Sequence, residues 1–184
     1  TGLLLMISAN PPGEPMALDI GAMRVVDGYL IHNRRISSRC DDSVVVPGLA
    51  GPGIHTLKGP FGIVSFPVRK SRGLIPDPLP IPHGRKVLSL GAERNVTVTV
   101  SARGKAFTGP YIGNSRYVKV LDYASESAER LMYLFGAEEI EAVAVDLHPR
   151  YQTRHLGLEM ARERNIPAVG IQHHEAHAAS LLVD

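Results

Sequence analysis

Apolar positions fall into two different patterns along this chain. Up to about residue 73 they come as short runs, Leu3 to Ile7, Tyr29 to Ile31, Ser43 to Val46 and Ile63 to Phe66, divided by Gly- and Pro-rich turns. Runs of that length between turn signals predict strands of an α/β or mainly β piece, with one possible helix near Met16 to Val26. About seventy to eighty residues opening on a buried-looking strand are too few to close a core, so the start is expected to cut through a domain. Residues 74–84, "LIPDPLPIPHG", then hold four prolines in eleven positions. Proline fixes φ and lacks an N–H donor, which favours an extended polyproline-like linker, taken as 74–86, over helix or sheet.

From residue 87 the periods are cleaner. Val87 to Leu90 is a short apolar strand, Val96 to Ala102 alternates valine with Thr and Ser, and the turn Arg103-Gly104-Lys105 leads into Ala106-Phe107-Thr108. This spacing predicts two consecutive hairpin connections. Between Asp122 and Phe135 the residues Ala128, Leu131, Met132 and Phe135 recur at i, i+3, i+4 and i+7, and Gly136 stands where such a helix stops. A strand over Ala142 to Val145, a helix over Thr153 to Arg164 with Thr153 as its cap, a strand over Ala168 to Ile171 and a helix over His173 to Val183 follow. The order β-β-β-α-β-α-β-α is that of one lobe of an actin-like ATPase, an analogy of topology.

Composition narrows the function classes. With 44% hydrophobic residues the 184-residue chain can bury a core. Twenty basic and 18 acidic residues leave a net charge of +2, with no basic stripe of the kind that binds nucleic acid. No apolar run reaches the roughly 20 residues that span a bilayer, and Leu3 to Ile7 lacks the basic flank of a signal peptide. A cytoplasmic protein without nucleic acid or membrane partners is the expectation. The single cysteine, Cys40, excludes an internal disulfide and a thiolate zinc cluster built within the chain.

The densest chemistry lies at Gln172 to Ser180, "QHHEAHAAS". Four residues apart on a helix, His173 and His177 share a face and can aim two imidazoles at one ion; Ser180 extends the stripe and His174 points elsewhere. The spacing is not HExxH, because His174 follows His173 and lies only three residues before His177, so a metalloprotease is excluded. Two ligands do not close a site, and a polar helix start whose histidines face solvent remains the alternative. Asp146 and His148 end a strand at the carboxyl edge, where α/β sites gather, although His148 before Pro149 also suits a turn.

"QHHEAHAAS" resembles the HxxxH segment of the TsaD-like superfamily, in the form found in the HypF carbamoyltransferase family of [NiFe]-hydrogenase maturation. "VLSLGAERNVTVTV" (87–100), "GKAFTGPYIGN" (104–114) and "DLHPRYQTRHL" (146–156) resemble further TsaD-like segments of that family. Ahead of the linker, "MISANPPGEPM" (6–16), "DGYLIHNRRISSRCDDSVV" (27–45) and "VRKSRGLIPDPLPIP" (68–82) are similar to its YrdC-like module. The resemblance implies an α/β fold in two parts: the C-terminal part of a YrdC-like domain over 1–73, and the first lobe of an actin-like ATPase (TsaD-like) domain over 87–184. It departs at Arg94-Asn95, shifted from the family's Lys-Asn, and at Pro47 to Gly62, longer than the family's connection. Expected outside this chain are an acylphosphatase-like domain, CxxC zinc fingers and a Gly-rich second lobe, so the chain is expected to be an incomplete enzyme.

The same resemblance implies the chemistry. The YrdC-like module would couple carbamoyl phosphate to ATP (with Mg), giving carbamoyl-adenylate. The TsaD-like module would pass the carbamoyl group to the C-terminal cysteine of a HypE-like partner, with Zn or Fe at His173 and His177. Ser8, Asn10, Arg39, Ser43 and Arg72 become nucleotide contacts. On the residues alone, Ser8 and Asn10 make an ordinary turn before Pro11, the arginines make surface ion pairs, and Ser43 packs in a strand. Small-molecule O-carbamoyltransferases, which carry the modules reversed, and threonylcarbamoyl-AMP enzymes of tRNA modification are the neighbouring readings. A non-catalytic truncated nucleotide-binding module is the reading from another class.

Overall fold

Hydrogen bonding gathers the described strands into two sheets. A computed structural model describes residues 2–3, 10–12, 14–18, 20–22, 27–48, 57–58, 64–69, 71, 74–75 and 77–181. In the N-terminal part, β1 (Val44–Gly48) and β2 (Leu57–Lys58) pair antiparallel with β3 (Val64–Arg69), in the order β1-β3-β2. Tyr29 to Ile31, expected as a strand, is not one among the described residues: the three residues are exposed, Leu30 fully. An apolar run needs a partner edge to become a strand. The expected Met16 to Val26 helix is reduced, in its described residues, to a single 3₁₀ turn at Ile20–Ala22; residues 23–26 lie outside the described residues, as do 4–7 of the first predicted strand and most of the Pro47 to Gly62 loop.

The second sheet has six strands in the order β4-β7-β6-β5-β8-β9: β4 (Leu79–Pro80), β5 (Val87–Ser89), β6 (Thr99–Ala102), β7 (Lys105–Thr108), β8 (Ala142–Asp146) and β9 (Ala168–Ile171). Here the proline-rich segment departs from a free linker. Leu79 and Pro80 pair antiparallel with Ala106 and Lys105, and the Ile81 N–H donates to the Gly104 carbonyl at 3.0 Å. Proline is tolerated there because β4 lies at the sheet's edge, where a missing donor leaves no ladder broken beyond it. The hairpins β5-β6 and β6-β7 are antiparallel, whereas β5-β8 and β8-β9 are parallel. That change of sense is the signature of a meander followed by a β-α-β crossover.

Two helices cover the sheet. α1 (Val118–Phe135) starts four residues before the period predicts and stops at Gly136, whose φ of 63° is left-handed; the Ala137 N–H then donates to the Met132 carbonyl at 2.8 Å. Glycine reaches that conformation without a Cβ clash, which closes the last turn. α1 buries Val120, Ala124, Ala128, Leu131 and Met132 over Val98, Val100 and Ala102 of the meander. α2 (Gln152–Glu163) lies against β8, burying Met160 and Ala161 on Val143 and Val145. The last helix, α3, spans His173–Ser180 and buries no side chain; residues 182–183 of the expected helix lie outside the described residues.

Thr153 does not cap α2. The cap position is Tyr151, and Thr153, only 1% exposed, turns its hydroxyl inward to donate to the carbonyls of Gly91 and Ala92, each at 3.2 Å. A carboxylate from far along the chain takes the capping role: the Gln152 N–H donates to Glu93 Oε2 at 3.3 Å. Negative charge at a helix N-terminus is favourable both as acceptor and against the helix dipole.

Candidate functional site

The parallel strands β5, β8 and β9 all end on one side of the sheet, and the turns that follow them converge. This is where open α/β sheets keep their ligand crevices. The structure forms there a cavity of about 240 Å³, lined by Ser89, Gly91, Asp146, His173, His177 and Ser180 among others. Gly91, one of its lining residues, has a φ of +70°, and a Cβ on it would meet the Thr97 carbonyl oxygen at 3.2 Å, so a larger residue would be strained there.

Asp146, the last residue of β8, stands opposite Ile171, the last of β9, and the Leu147 N–H donates to the Ile171 carbonyl at 3.0 Å. α3 begins two residues later, which brings His173 over the end of β8. Asp146 Oδ2 lies 2.8 Å from His173 Nδ1, and Asp146 Oδ1 accepts the His148 N–H at 2.8 Å. The carboxylate is 7% exposed and the His173 ring 49% exposed. One turn on, His177 Nε2 lies 3.2 Å from His173 Nε2. An imidazole that gives its Nδ1–H to a carboxylate keeps Nε2 as an acceptor, and in that tautomer the His173 Nε2 would face His177 as a lone pair. Ser180 continues the stripe only in part, for its hydroxyl donates to the His177 carbonyl at 2.8 Å.

Two nitrogens bound to one tetrahedral ion at about 2.0–2.1 Å lie about 3.3 Å apart. The observed separation fits that edge, so a divalent ion can replace the proton between the rings without moving them far. Among the described residues no group of three or more His, Cys, Asp or Glu side chains is placed to hold a metal ion.

The N-terminal candidates distribute differently. Ser8 and Arg72 lie outside the described residues. Asn10 donates through Nδ2 to the Glu14 carbonyl at 2.9 Å and the Pro11 carbonyl at 3.3 Å, a local turn. Arg39 donates through Nε to the Met16 carbonyl at 2.6 Å and stacks over the Tyr123 ring at 4.6 Å. Both border a cavity of about 460 Å³ between the N-terminal part and the six-stranded unit, which Arg69 and Tyr111 also line. Ser43 is elsewhere: its Oγ accepts the Ser71 N–H at 2.8 Å. The structure thus brings together Asn10 with Arg39, and His173 with His177.

Reading by sequence missed Arg69, which pairs with Asp41 at 3.5 Å and stacks over Tyr111 at 4.4 Å, and it left Asp146 without a partner. The signal available for Asp146 was its place at a strand's carboxyl end, two residues before a His-Pro pair.

Known proteins resemble this chain over nearly its whole length. Residues 82–184 match the family model described as the HypF Kae1-like domain. HypF of Methanocaldococcus jannaschii is 34% identical over 98% of this chain, which spans 23% of that protein. Carbamoyltransferase HypF2 of Cupriavidus necator is 35% identical over 99% of the chain, which spans 22% of it. The crystal structure of T. kodakarensis HypF superposes with a TM-score of 0.79 at 34% identity, covering 95% of this chain and 22% of that one. A full-length HypF in a phosphate- and nucleotide-bound form superposes with a TM-score of 0.77 at 27% identity, covering 96% of this chain and 26% of that one. This chain therefore corresponds to about a quarter of the length of those proteins.

Proposed function

The chain belongs to the HypF family, and from that premise we propose that it is a segment of a carbamoyltransferase. The whole enzyme would activate carbamoyl phosphate with ATP and deliver the carbamoyl group to a HypE-like partner in [NiFe]-hydrogenase maturation. The observation that carries this reading is the facing pair His173 and His177 at the carboxyl ends of parallel strands, in a chain aligned over nearly all its length with HypF proteins. The relative with bound phosphate and nucleotide supports nucleotide handling.

In this reading residues 1–73 serve the activation step and 87–184 the transfer, while 74–86 connect them and lend Leu79–Pro80 to the edge of the second sheet. Asn10 and Arg39, with Ser8, Ser43 and Arg72, hold the phosphates of ATP and its Mg; a guanidinium fork and short polar side chains suit phosphate oxygens. In this step water would release inorganic phosphate from carbamoyl phosphate, and an oxygen of the resulting carbamate would attack the α-phosphorus of ATP, forming the anhydride and releasing pyrophosphate. The resulting anhydride has AMP as a good leaving group, so attack of the partner's cysteine thiolate on the carbamoyl carbon forms the thioester and expels AMP.

His173 and His177 would hold Zn or Fe through their Nε2 atoms, the remaining donors coming from substrate, water or chain beyond these residues. Such an ion, when bound, supplies Lewis-acid stabilisation of negative charge on a phosphate or carbamoyl oxygen. ATP as energy source puts the reaction in the cytoplasm. In the described residues no helix is long and apolar enough to cross a membrane.

The test is carbamoyl-phosphate-dependent ATP to pyrophosphate exchange on the full-length protein, followed by carbamoyl transfer to the partner. Ser8→Ala is expected to weaken exchange. The double variant His173→Ala with His177→Ala is expected to keep exchange and lose transfer. Loss of exchange in the double variant would overturn this division of labour, and absence of exchange in the wild type would favour the non-catalytic module.

A further inference from the structure

The segment Asp146 to Tyr151 borders the histidine pair, and the function proposed above assigns it no task. Its geometry is specific. Asp146 is buried at the end of β8 and uses its two oxygens in different directions: Oδ1 takes the His148 N–H, and Oδ2 faces His173 Nδ1. The first bond fixes the carboxylate's rotation, and the second fixes the imidazole's. Behind them the His148 and Tyr151 rings stack at 4.2 Å, and Tyr151 meets the His173 ring edge-on with centroids 6.4 Å apart. The His173 ring is thus held at its Nδ1 side, while Nε2 looks across the cavity at His177.

We infer that Asp146 is a positioning residue for the histidine pair: it selects the His173 tautomer and ring orientation that present a free Nε2 to a divalent metal. The inference rests on the reading of His173 and His177 as metal ligands. Asp146 is not itself a third ligand, because it sits on the side of the ring opposite the nitrogen that faces His177. A carboxylate accepting the distal N–H of a ligating imidazole raises the ring's basicity and removes the rotational freedom that binding would otherwise have to freeze out. The Asp-x-His-Pro-x-Tyr spacing then has one physical account. The strand end supplies the carboxylate, the turn supplies the N–H that aims it, and the tyrosine begins α2 with its ring against the site.

The experiment is a Zn titration of the full-length protein against a competing chelator, repeated with Co for its d–d absorption. Binding at this site is taken as the component that His173→Ala with His177→Ala removes. Asp146→Asn is expected to weaken that component about 10–100-fold and to shift the His173 ring from the Nε2-acceptor tautomer, read by nitrogen-15 NMR of the metal-free protein. Asp146→Ser is the second variant: a hydroxyl can still accept the His148 N–H and keep the turn, but is too short to reach His173. It is expected to weaken binding to the same degree with an unchanged metal-free melting temperature. Wild-type affinity and an unshifted tautomer in both variants would overturn the inference while leaving the metal reading intact. Wild-type affinity in the double histidine variant would overturn both.

Discussion

At Glu93 two opposing effects meet. Burial of its side chain raises the carboxyl pKa, but hydrogen bonds from the Ser115 hydroxyl at 2.9 Å, the Gln152 N–H and the Arg116 guanidinium at 3.1 Å outweigh it, and the net value lies below the ordinary 4.5. Glu93 thereby ties the 91–95 turn to the loop before α1 and to the start of α2. Glu93→Ala leaves the buried Ser115 hydroxyl without its carboxylate acceptor and releases the exposed Arg116 and Gln152 donors to water, and it is expected to lower stability by about 1–3 kcal/mol, measured as the urea midpoint at pH 7. Because the folded pKa is depressed, the charge's contribution is complete above about pH 4.5 and is lost as pH falls through the folded value. The difference between wild type and Glu93→Gln is therefore expected to shrink below pH 4.5; a constant difference down to pH 3 would contradict the assignment. In the sequence Glu93 was visible only as part of a family motif, and Thr153 looked like the cap. Local capping rules see three or four residues ahead, whereas the acceptor that serves Gln152 lies 59 residues back.

Among elements, those with strong periods were legible and those dependent on a distant edge were not. Ala128, Leu131 and Met132 predict α1 because their spacing alone makes one apolar face, and all three are buried. Leu79 and Pro80 became a strand only because β7 offers them an edge, whereas Tyr29 to Ile31 stayed exposed. The seat of α2 on the sheet depends on a residue with no side chain. A Cβ on Gly157 would come within 2.5 Å of Val145 Cγ1 and 3.3 Å of Leu90 Cδ1. Alanine gains roughly 1 kcal/mol of helix propensity, but forcing a methyl between two buried side chains costs about 1–3 kcal/mol. Gly157→Ala is expected to lower the thermal midpoint by several degrees; a raised midpoint would show that Val145 yields at little cost. The same close approach holds β8, and with it Asp146, under the start of α3.

At the level of the whole molecule, the stretch around Arg39 clasps α1. The Tyr123 hydroxyl donates to the Arg39 carbonyl at 2.9 Å beneath the stacked guanidinium, Arg130 donates to Ser37 Oγ at 2.6 Å, and Lys119 pairs with Glu14 at 2.6 Å. Each polar contact at this surface is worth about 1 kcal/mol or less, so the clasp is a sum of small terms. Tyr123→Ala is expected to raise amide hydrogen exchange over residues 30–42 while leaving β5, β6 and β8 protected; unchanged exchange over 30–42 would mean that Tyr123 does not hold the segment. The six-stranded unit could be read from sequence because its periods are local. The clasp could not, since Ser37 and Arg130 carry no mutual signal across 93 residues. The position of β5 has a kinetic corollary. On one side it pairs with β6, reached through the 90–98 connection; on the other it pairs with β8, which arrives only after a second hairpin and the whole of α1. Closing the first pair is fast, and closing the second waits on a much longer loop. The two histidines, carried on the helix after β9, are thus among the last groups to reach their places as the chain collapses. Until they do, a nascent chain offers the open side of β5 to any strand that meets it.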